Sequence, residues 1–316
     1  MNVAFTSEQD ELRAQARSFL AASPEPTWRE LAELGWTGVS VPEELGGAGL
    51  GFLEEAILFE ETGRALLHAP YFSTVALALP ALPDDLQAEV ARGDASWTLA
   101  VEPLVPDLDT AARVAFVAAD GIYELEGFER DVLQTTDETR PLGVVVGGEP
   151  GRRLAGSDVL PETRRRALVA LALEACGVGG RALELAVEHV SGREQFGRPI
   201  GSYQAVSHPL ATSYAELELA RSASLWAAWC VAVEHAQAPV AAAAAKSLAA
   251  DAAVAVCERS IQAHGGIGFT WEHVLHRLYK RALGIQAAEA SGAELRAEVA
   301  AHLLDEPSSS KRGSVT

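Results

Sequence analysis

The amino-acid sequence predicts a mainly helical protein with a small β unit set into its middle. Apolar residues recur at helical spacing from Ser7 to about Leu82 and again from Pro161 to about Leu304. Between residues 96 and 160 the pattern changes to short β-branched runs split by Asp-Gly and Gly-rich turns. At 316 residues, 48% hydrophobic and 22% charged, the chain is long enough for two or three packed units. The expected division is an N-terminal helical domain over 1–95, a small antiparallel β domain over 96–160, a C-terminal four-helix bundle over 161–305 and a Ser-rich disordered tail over 306–316.

Each element has its own signal. Leu12, Ala16, Phe19 and Leu20 lie on one helical face of a segment from Ser7 to Ala22, with Ser7 as its expected cap and acids behind it. A short helix from about Thr27 to Leu34 stops at Gly35. A Gly/Pro loop follows, Trp36-Thr-Gly-Val-Ser-Val-Pro-Glu-Glu-Leu-Gly-Gly-Ala-Gly-Leu50, then helices over Phe52 to Leu66 and Tyr71 to Leu82. Strands are expected at Thr98 to Val101, Ala112 to Ala118, Ile122 to Leu125 and Leu142 to Val146, with a hairpin turn at Asp120-Gly121. Helix one of the bundle spans roughly Glu162 to Val190, and helix two follows Ser202 with Pro209 inside it, predicting a kink near His208. Helix three starts at Pro239 and ends before Gly265, Pro first and Gly last. Helix four runs from about Trp271 to Leu304, with Gly284 and Gly292 as places to bend.

Charge and cysteines exclude several function classes. A net charge of −19 argues against a nucleic-acid groove or an anionic membrane as partner, and any CoA site needs local basic residues. Cys176, Cys230 and Cys257 sit in apolar helical patterns without ligand spacing, as reduced core thiols do. His208, His264, His273 and His276 also lack metal-ligand spacing, so no metal is expected. Residues Met1 to Asp10 carry no signal pattern, and Ser222 to Val233, read as the longest apolar stretch, is too short to span a bilayer. A cytoplasmic protein is expected.

Two segments stand out as ligand-holding. Arg193-Glu-Gln-Phe-Gly-Arg-Pro-Ile-Gly-Ser-Tyr-Gln204 lies between two helical patterns and displays Arg193, Phe196 and Gly197 on a turn. Gln262-Ala-His-Gly-Gly-Ile-Gly-Phe-Thr-Trp-Glu-His273 ends an Ala-rich helix in a Gly pair, where backbone N–H groups approach a polar ligand closely. Each alone reads as a helix end with a Gly stop. Together, and with the loop around Gly46, they resemble the acyl-CoA dehydrogenase family over about residues 5 to 304.

The resemblance implies FAD as cofactor, acyl-CoA as substrate, an electron-transfer flavoprotein as electron acceptor, and a homo- or hetero-oligomer. By resemblance Arg193 pairs with the flavin pyrophosphate or its adenosine end, with Gln195 beside it, and Phe196 packs near the adenine. Gln262, Gly265 and Gly266 contact the same dinucleotide from a neighbouring subunit. Counting from Gln262, the family's catalytic glutamate falls on Glu289, within Ala287-Ala-Glu-Ala-Ser291, with Glu272 as second choice.

The chain also departs from the family. Ala288, Ala290 and Ser291 replace the expected aromatic, glycine and threonine, so Glu289 is expected in a continuous Ala-rich helix that by default faces solvent. The β unit is reduced against a family barrel nearly twice as long. Val101-Glu-Pro103 lacks the family's hydroxyl, no tryptophan occurs between Trp97 and Trp226, and Ala155-Gly-Ser-Asp158 reads as a loop and N-cap for the next helix. Leu168 stands where the family's CoA-side arginine is expected, with Arg164 to Arg166 one turn earlier, and Ala167 fills a third possible base position. Two readings follow. One is an FAD-dependent enzyme converting an acyl-CoA thioester to a 2-enoyl-CoA, alone or as a subunit. The alternative is a non-catalytic partner that completes the flavin site of a heteromeric acyl-CoA dehydrogenase.

Overall fold

The structure, a computed structural model, describes residues 5–305. The expected tail over 306–316 lies outside the described residues.

Helix α1 (Ser7–Ala22) is capped one residue earlier than the sequence suggests, by Thr6, whose hydroxyl accepts from Gln9 N–H while the Gln9 side chain accepts from Thr6 N–H. The short α2 (Trp28–Glu33) repeats the device with Thr27 and Glu30. The Gly/Pro loop folds as two 3-10 turns, Trp36–Gly38 and Glu43–Leu45, and leads into α3 (Phe52–Ala65). The expected helix from Tyr71 is a π-helical run, Phe72–Ala78, closed by a 3-10 turn at Leu79–Ala81. After Pro83 comes a helix the sequence reading did not include, α4 (Asp84–Ala91).

The β unit is one five-stranded sheet of β1 (Trp97–Ala100), β2 (Val105–Pro106), β3 (Arg113–Ala118), β4 (Gly121–Val132) and β5 (Leu142–Ala155), in the order β1-β3-β4-β5-β2. It is antiparallel from β3 through β2, while β1 joins β3 in parallel, Trp97 opposite Arg113. β4 and β5 are much longer than the β-branched runs suggest and pair from Ile122↔Ala155 to Val132↔Gly143. Residues 126–132 of β4 and 146–153 of β5 are largely exposed, so polar and glycine residues continue the ladder without an alternating apolar signal.

The long α5 (Leu160–Gly192) begins without a side-chain cap, because Ser157-Asp158 form a separate 3-10 turn. A two-strand hairpin, β6 (Glu194–Gln195) and β7 (Arg198–Pro199), leads to α6 (Gln204–Ala232), in which Pro209 is accommodated within one helix. α7 (Ala238–His264) is the core of the bundle, with Ala241, Ala242, Ala245, Ala249 and Ala253 all buried. Small side chains let α5 and α6 approach it closely. By length and composition Ala238–Phe269 could cross a membrane, so Ser222 to Val233 is not the longest apolar stretch, yet 67% of its apolar window is buried inside the protein. The expected single fourth helix is two helices, α8 (Leu275–Ala287) and α9 (Gly292–Asp305), broken at the residues that contain Glu289.

The N-terminal helices and the bundle meet at the α3–α5 crossing. A Cβ on Gly63 would overlap the Glu174 backbone, and one on Gly177 would overlap the Glu60 carbonyl, so each helix offers a glycine where the other's backbone passes. Buried ion pairs tie in the sheet. Arg140, after β4, grips Glu174 of α5 with two bonds of 2.7 and 2.6 Å. Arg281 of α8 binds Asp137 at 2.7 Å and the Leu67 carbonyl at 3.1 Å. Arg166 of α5 binds Glu55 of α3 at 2.6 Å. Removing one partner of such a pair leaves a buried charge uncompensated, at a cost of about 3–5 kcal/mol. Burial also pushes the Cys176 thiol up to about 12, consistent with an inert core thiol.

Candidate functional site

The break between α8 and α9 creates a display point. Glu289 has φ 63°, in the left-handed region that a side chain with a Cβ enters at a cost of roughly 1–3 kcal/mol. Three interactions hold it there. Ala288 N–H closes α8 onto Gly284 at 3.1 Å. The ammonium of buried Lys246, on α7, donates to the Gln286 carbonyl at 3.0 Å and the Ala290 carbonyl at 2.5 Å, on either side of Glu289. Ser291 then starts α9 with a capping box: its hydroxyl accepts from Glu294 N–H at 3.3 Å, and the Glu294 carboxylate accepts from Ser291 N–H at 2.8 Å.

The turn opens on a cleft of about 750 Å³ whose lining includes Glu102, Arg164, Glu289, Ser291, Glu294 and Glu298. Glu102 comes from the loop after β1, so the sheet and the bundle both contribute. Arg164, at the start of α5, pairs with Glu298 of α9 at 2.6 Å across the cleft. Burial raises the Glu289 carboxyl above the ordinary glutamate value and the like charge of Glu102 adds to this, while Arg164 and Lys246 oppose it. A carboxylate of raised basicity, half-buried at the edge of a cleft, can take a proton from a weak carbon acid. Glu272 sits elsewhere, exposed in the bend between α7 and α8, and does not line this cleft. Of the three arginines at the start of α5, Arg164 lines the cleft, Arg165 does not, and Arg166 is committed to Glu55 and stacks over Phe52.

The other candidate residues gather at the far end of the bundle. β6 and β7 form a two-residue hairpin with Phe196 at φ 54° and Gly197 at φ 79°, the signs a type I′ turn requires. Phe196 is 95% exposed at its tip. Gln195 is exposed beside it, its amide turned back onto the Glu194 carbonyl at 2.7 Å. The guanidinium of Arg193 and the amide of Gln262 are exposed and take no hydrogen bond or ion pair among the described residues. Gly265, at φ 65°, and Gly266 end α7, and a Cβ on either would meet nothing within 4 Å.

The helix ends that carry these groups are joined. His189, one turn before Arg193, stacks on His264 at 4.4 Å between ring centroids, and His273 lies 4.5 Å from His264 with its ring tilted. The structure therefore brings Arg193, Gln195 and Phe196 to the same end of one chain as Gln262, Gly265 and Gly266. A free guanidinium, an outward aromatic ring and open backbone suit an anionic, ring-bearing ligand such as a dinucleotide.

Comparison with known proteins identifies this architecture. The family model for the acyl-CoA dehydrogenase N-terminal domain matches residues 6–82, and that for the C-terminal domain matches residues 161–304. The chain is 36% identical over 267 residues to acyl-CoA dehydrogenase IpdE2 of Mycobacterium tuberculosis, covering 82% of this chain and 81% of that one. The chain belongs to the acyl-CoA dehydrogenase family. Among solved structures, a variant of the Tcur3481-Tcur3483 steroid ACAD is similar at TM-score 0.83 and 28% identity, covering 94% of this chain and 98% of that one. The ChsE4-ChsE5 complex of Mycobacterium tuberculosis shares the fold at TM-score 0.86 and 24% identity, covering 97% of this chain and 100% of that one.

Within this acyl-CoA dehydrogenase chain the two matched segments leave 83–160 between them, the stretch that holds α4 and the sheet. Sequence reading missed Lys246 and Glu102 as site residues. Lys246 carried one signal, an isolated cation in an alanine run. The capping box was visible as Ser291-Gly-Ala-Glu294.

Proposed function

We propose that this chain takes part in FAD-dependent α,β-dehydrogenation of an acyl-CoA thioester to a 2-enoyl-CoA, with Glu289 as the base that removes the α-proton. The observation that carries this reading is the braced left-handed turn that sets Glu289, with raised basicity, at the edge of the cleft. An α-proton next to a thioester is weakly acidic, and a carboxylate poised toward neutral pH is matched to removing it. FAD, when bound, accepts the hydride that leaves the β-carbon. Arg193, Gln195, Phe196, Gln262, Gly265 and Gly266 would hold it, Arg193 against phosphate and Phe196 against a ring face. Electrons would pass on to an electron-transfer flavoprotein. Ring-bearing acyl groups are the favoured substrate class, because a relative described as a steroid ACAD resembles nearly the whole chain.

The test is Glu289→Gln in the flavin-loaded protein, assayed with butyryl-CoA, octanoyl-CoA and a CoA thioester bearing a steroid ring system. Turnover lost with the flavin still bound supports the base assignment, and turnover retained removes it.

One observation favours a second reading, the non-catalytic partner. Among the described residues, four glutamates and a single, already paired arginine line the cleft, which offers CoA phosphates no free cation there. In that reading the chain lends Gln262 and Gly266 to a fuller acyl-CoA dehydrogenase-like subunit, an arrangement in keeping with the two-chain complexes it resembles. Flavin stoichiometry separates the two. The chain purified alone should be yellow and bleach with an acyl-CoA under the first reading, and should be colourless under the second, with fewer than one flavin per polypeptide in the assembled complex.

A further inference from the structure

Lys246 is fully buried in the first third of α7, among alanines and two turns in from the helix start. A buried ammonium is costly unless its donors are met. Its donors are met by two carbonyls of the segment that carries Glu289. Gln286 O, at 3.0 Å, is one of the carbonyls left open where α8 stops, and Ala290 O, at 2.5 Å, follows Glu289 directly. Neighbouring residues of α7 hold the same segment. Asp251 accepts from the Gln286 amide at 2.8 Å and from Arg296 of α9 at 2.8 Å, and Arg296 also donates to Ser247 at 3.0 Å. The end of α8, the turn and the start of α9 are thus clamped to one stretch of α7.

We propose that Lys246 is the positioning residue of Glu289: by holding the carbonyls on both sides it keeps Glu289 left-handed at the cleft. This rests on Glu289 being the base. Left to its own propensity, Ala287-Ala-Glu-Ala would continue α8 and turn Glu289 away from the cleft. Lys246 takes up carbonyls that a continuous helix would pair internally.

The charges around the pair agree with this arrangement. Burial lowers the Lys246 ammonium to about 8, and Glu289, Asp251 and Glu294 act to keep it charged. Burial raises Glu289, Glu102 adds to the rise, and Arg164 and Lys246 counter it. Lys246 is therefore cationic through the neutral range and loses its charge as pH rises through about 8.

Because the natural acyl group is unidentified, the primary test needs no substrate. In the full chain with its flavin and any co-purifying subunit, the Glu289 carboxyl band is assigned by infrared difference against Glu289→Gln and titrated with pH. In Lys246→Met, which loses both carbonyl bonds, Glu289 leaves its buried position and the band should titrate at lower pH than in the native protein, because burial is the largest cause of its raised value. Lys246→Gln, too short to bridge both carbonyls, should move it the same way, and carries the test if the methionine variant does not fold. Lys246→Arg retains the charge and should stay near the native titration. With the best substrate of the three acyl-CoAs above, kcat in Lys246→Met should fall about a hundredfold, as displacement of a reacting group does. The acid limb of kcat/KM should move with the infrared titration. A folded Lys246→Met or Lys246→Gln whose Glu289 titration matches the native protein overturns the proposal. If Glu289→Gln retains turnover, the base assignment falls separately, and the infrared titration alone decides whether Lys246 governs Glu289.

Discussion

The turn at Glu289 and the hairpin at Phe196 each hold a non-glycine residue in left-handed backbone, for different reasons. At Phe196 the cause is local, since a two-residue hairpin of this type requires positive φ at both central positions and Gly197 supplies the second without strain. At Glu289 the cause is tertiary. Lys246 from a distant helix, the cap of α9 and the closure of α8 together impose it. One site is braced by its own chain and half-buried, whereas the other projects an aromatic ring that is 95% exposed. The difference teaches that the Glu289 turn is completed by partners within this polypeptide, whereas the Phe196 end is left open to solvent.

The largest test of that contrast is at Glu289 itself. Glu289→Gln should lower turnover by about 10²–10⁴-fold with unchanged circular dichroism, the range for losing a general base. Next is Arg193→Met. It should weaken FAD retention about ten- to a hundredfold, the worth of a charge-assisted hydrogen bond, while thermal stability stays within about 0.5 kcal/mol because the side chain is exposed. Equilibrium dialysis and a melting curve read the two effects, and a stability loss larger than the affinity loss would break the comparison.

A smaller effect is expected at the brace. Ser291→Ala removes the hydroxyl that caps α9 and should destabilise the protein by about 1 kcal/mol, seen in chemical denaturation. The smallest is at Glu102. The folded pKa of Glu289 is raised, so the base is ionised only above it, and kcat/KM should fall as pH drops through a value above the ordinary glutamate range. Glu102→Gln removes the like charge and should shift that acid limb to lower pH. By the same linkage, Glu289 contributes stability when protonated and loses that contribution as pH rises through its folded pKa.

Structure with a local cause was legible in the sequence. Pro239 and Gly265 bracket α7 closely, Arg193 to Ile200 reads as a turn with an exposed aromatic residue, and β1 and β3 follow their β-branched runs. Features set by distant partners were not. Ala288-Glu289-Ala290 has strong helix propensity, and nothing nearby announces that Lys246, more than forty residues upstream in sequence, will take its carbonyls. The exposed halves of β4 and β5 have no apolar alternation to reveal them, and the parallel seating of β1 is a matter of topology. The break before α9 was readable all the same, from a serine and a glutamate three residues apart that the alanine run concealed.

The facing glycines at Gly63 and Gly177 have a consequence for how a large molecule gets in. With backbone against backbone at the α3–α5 crossing, the two helices have no slack to hinge, and a methyl group at either position would wedge them apart. The front helices and the bundle must travel as a single block. Access to the Glu289 cleft then depends on the cleft's own rim, where Arg164 of α5 reaches across to Glu298 of α9.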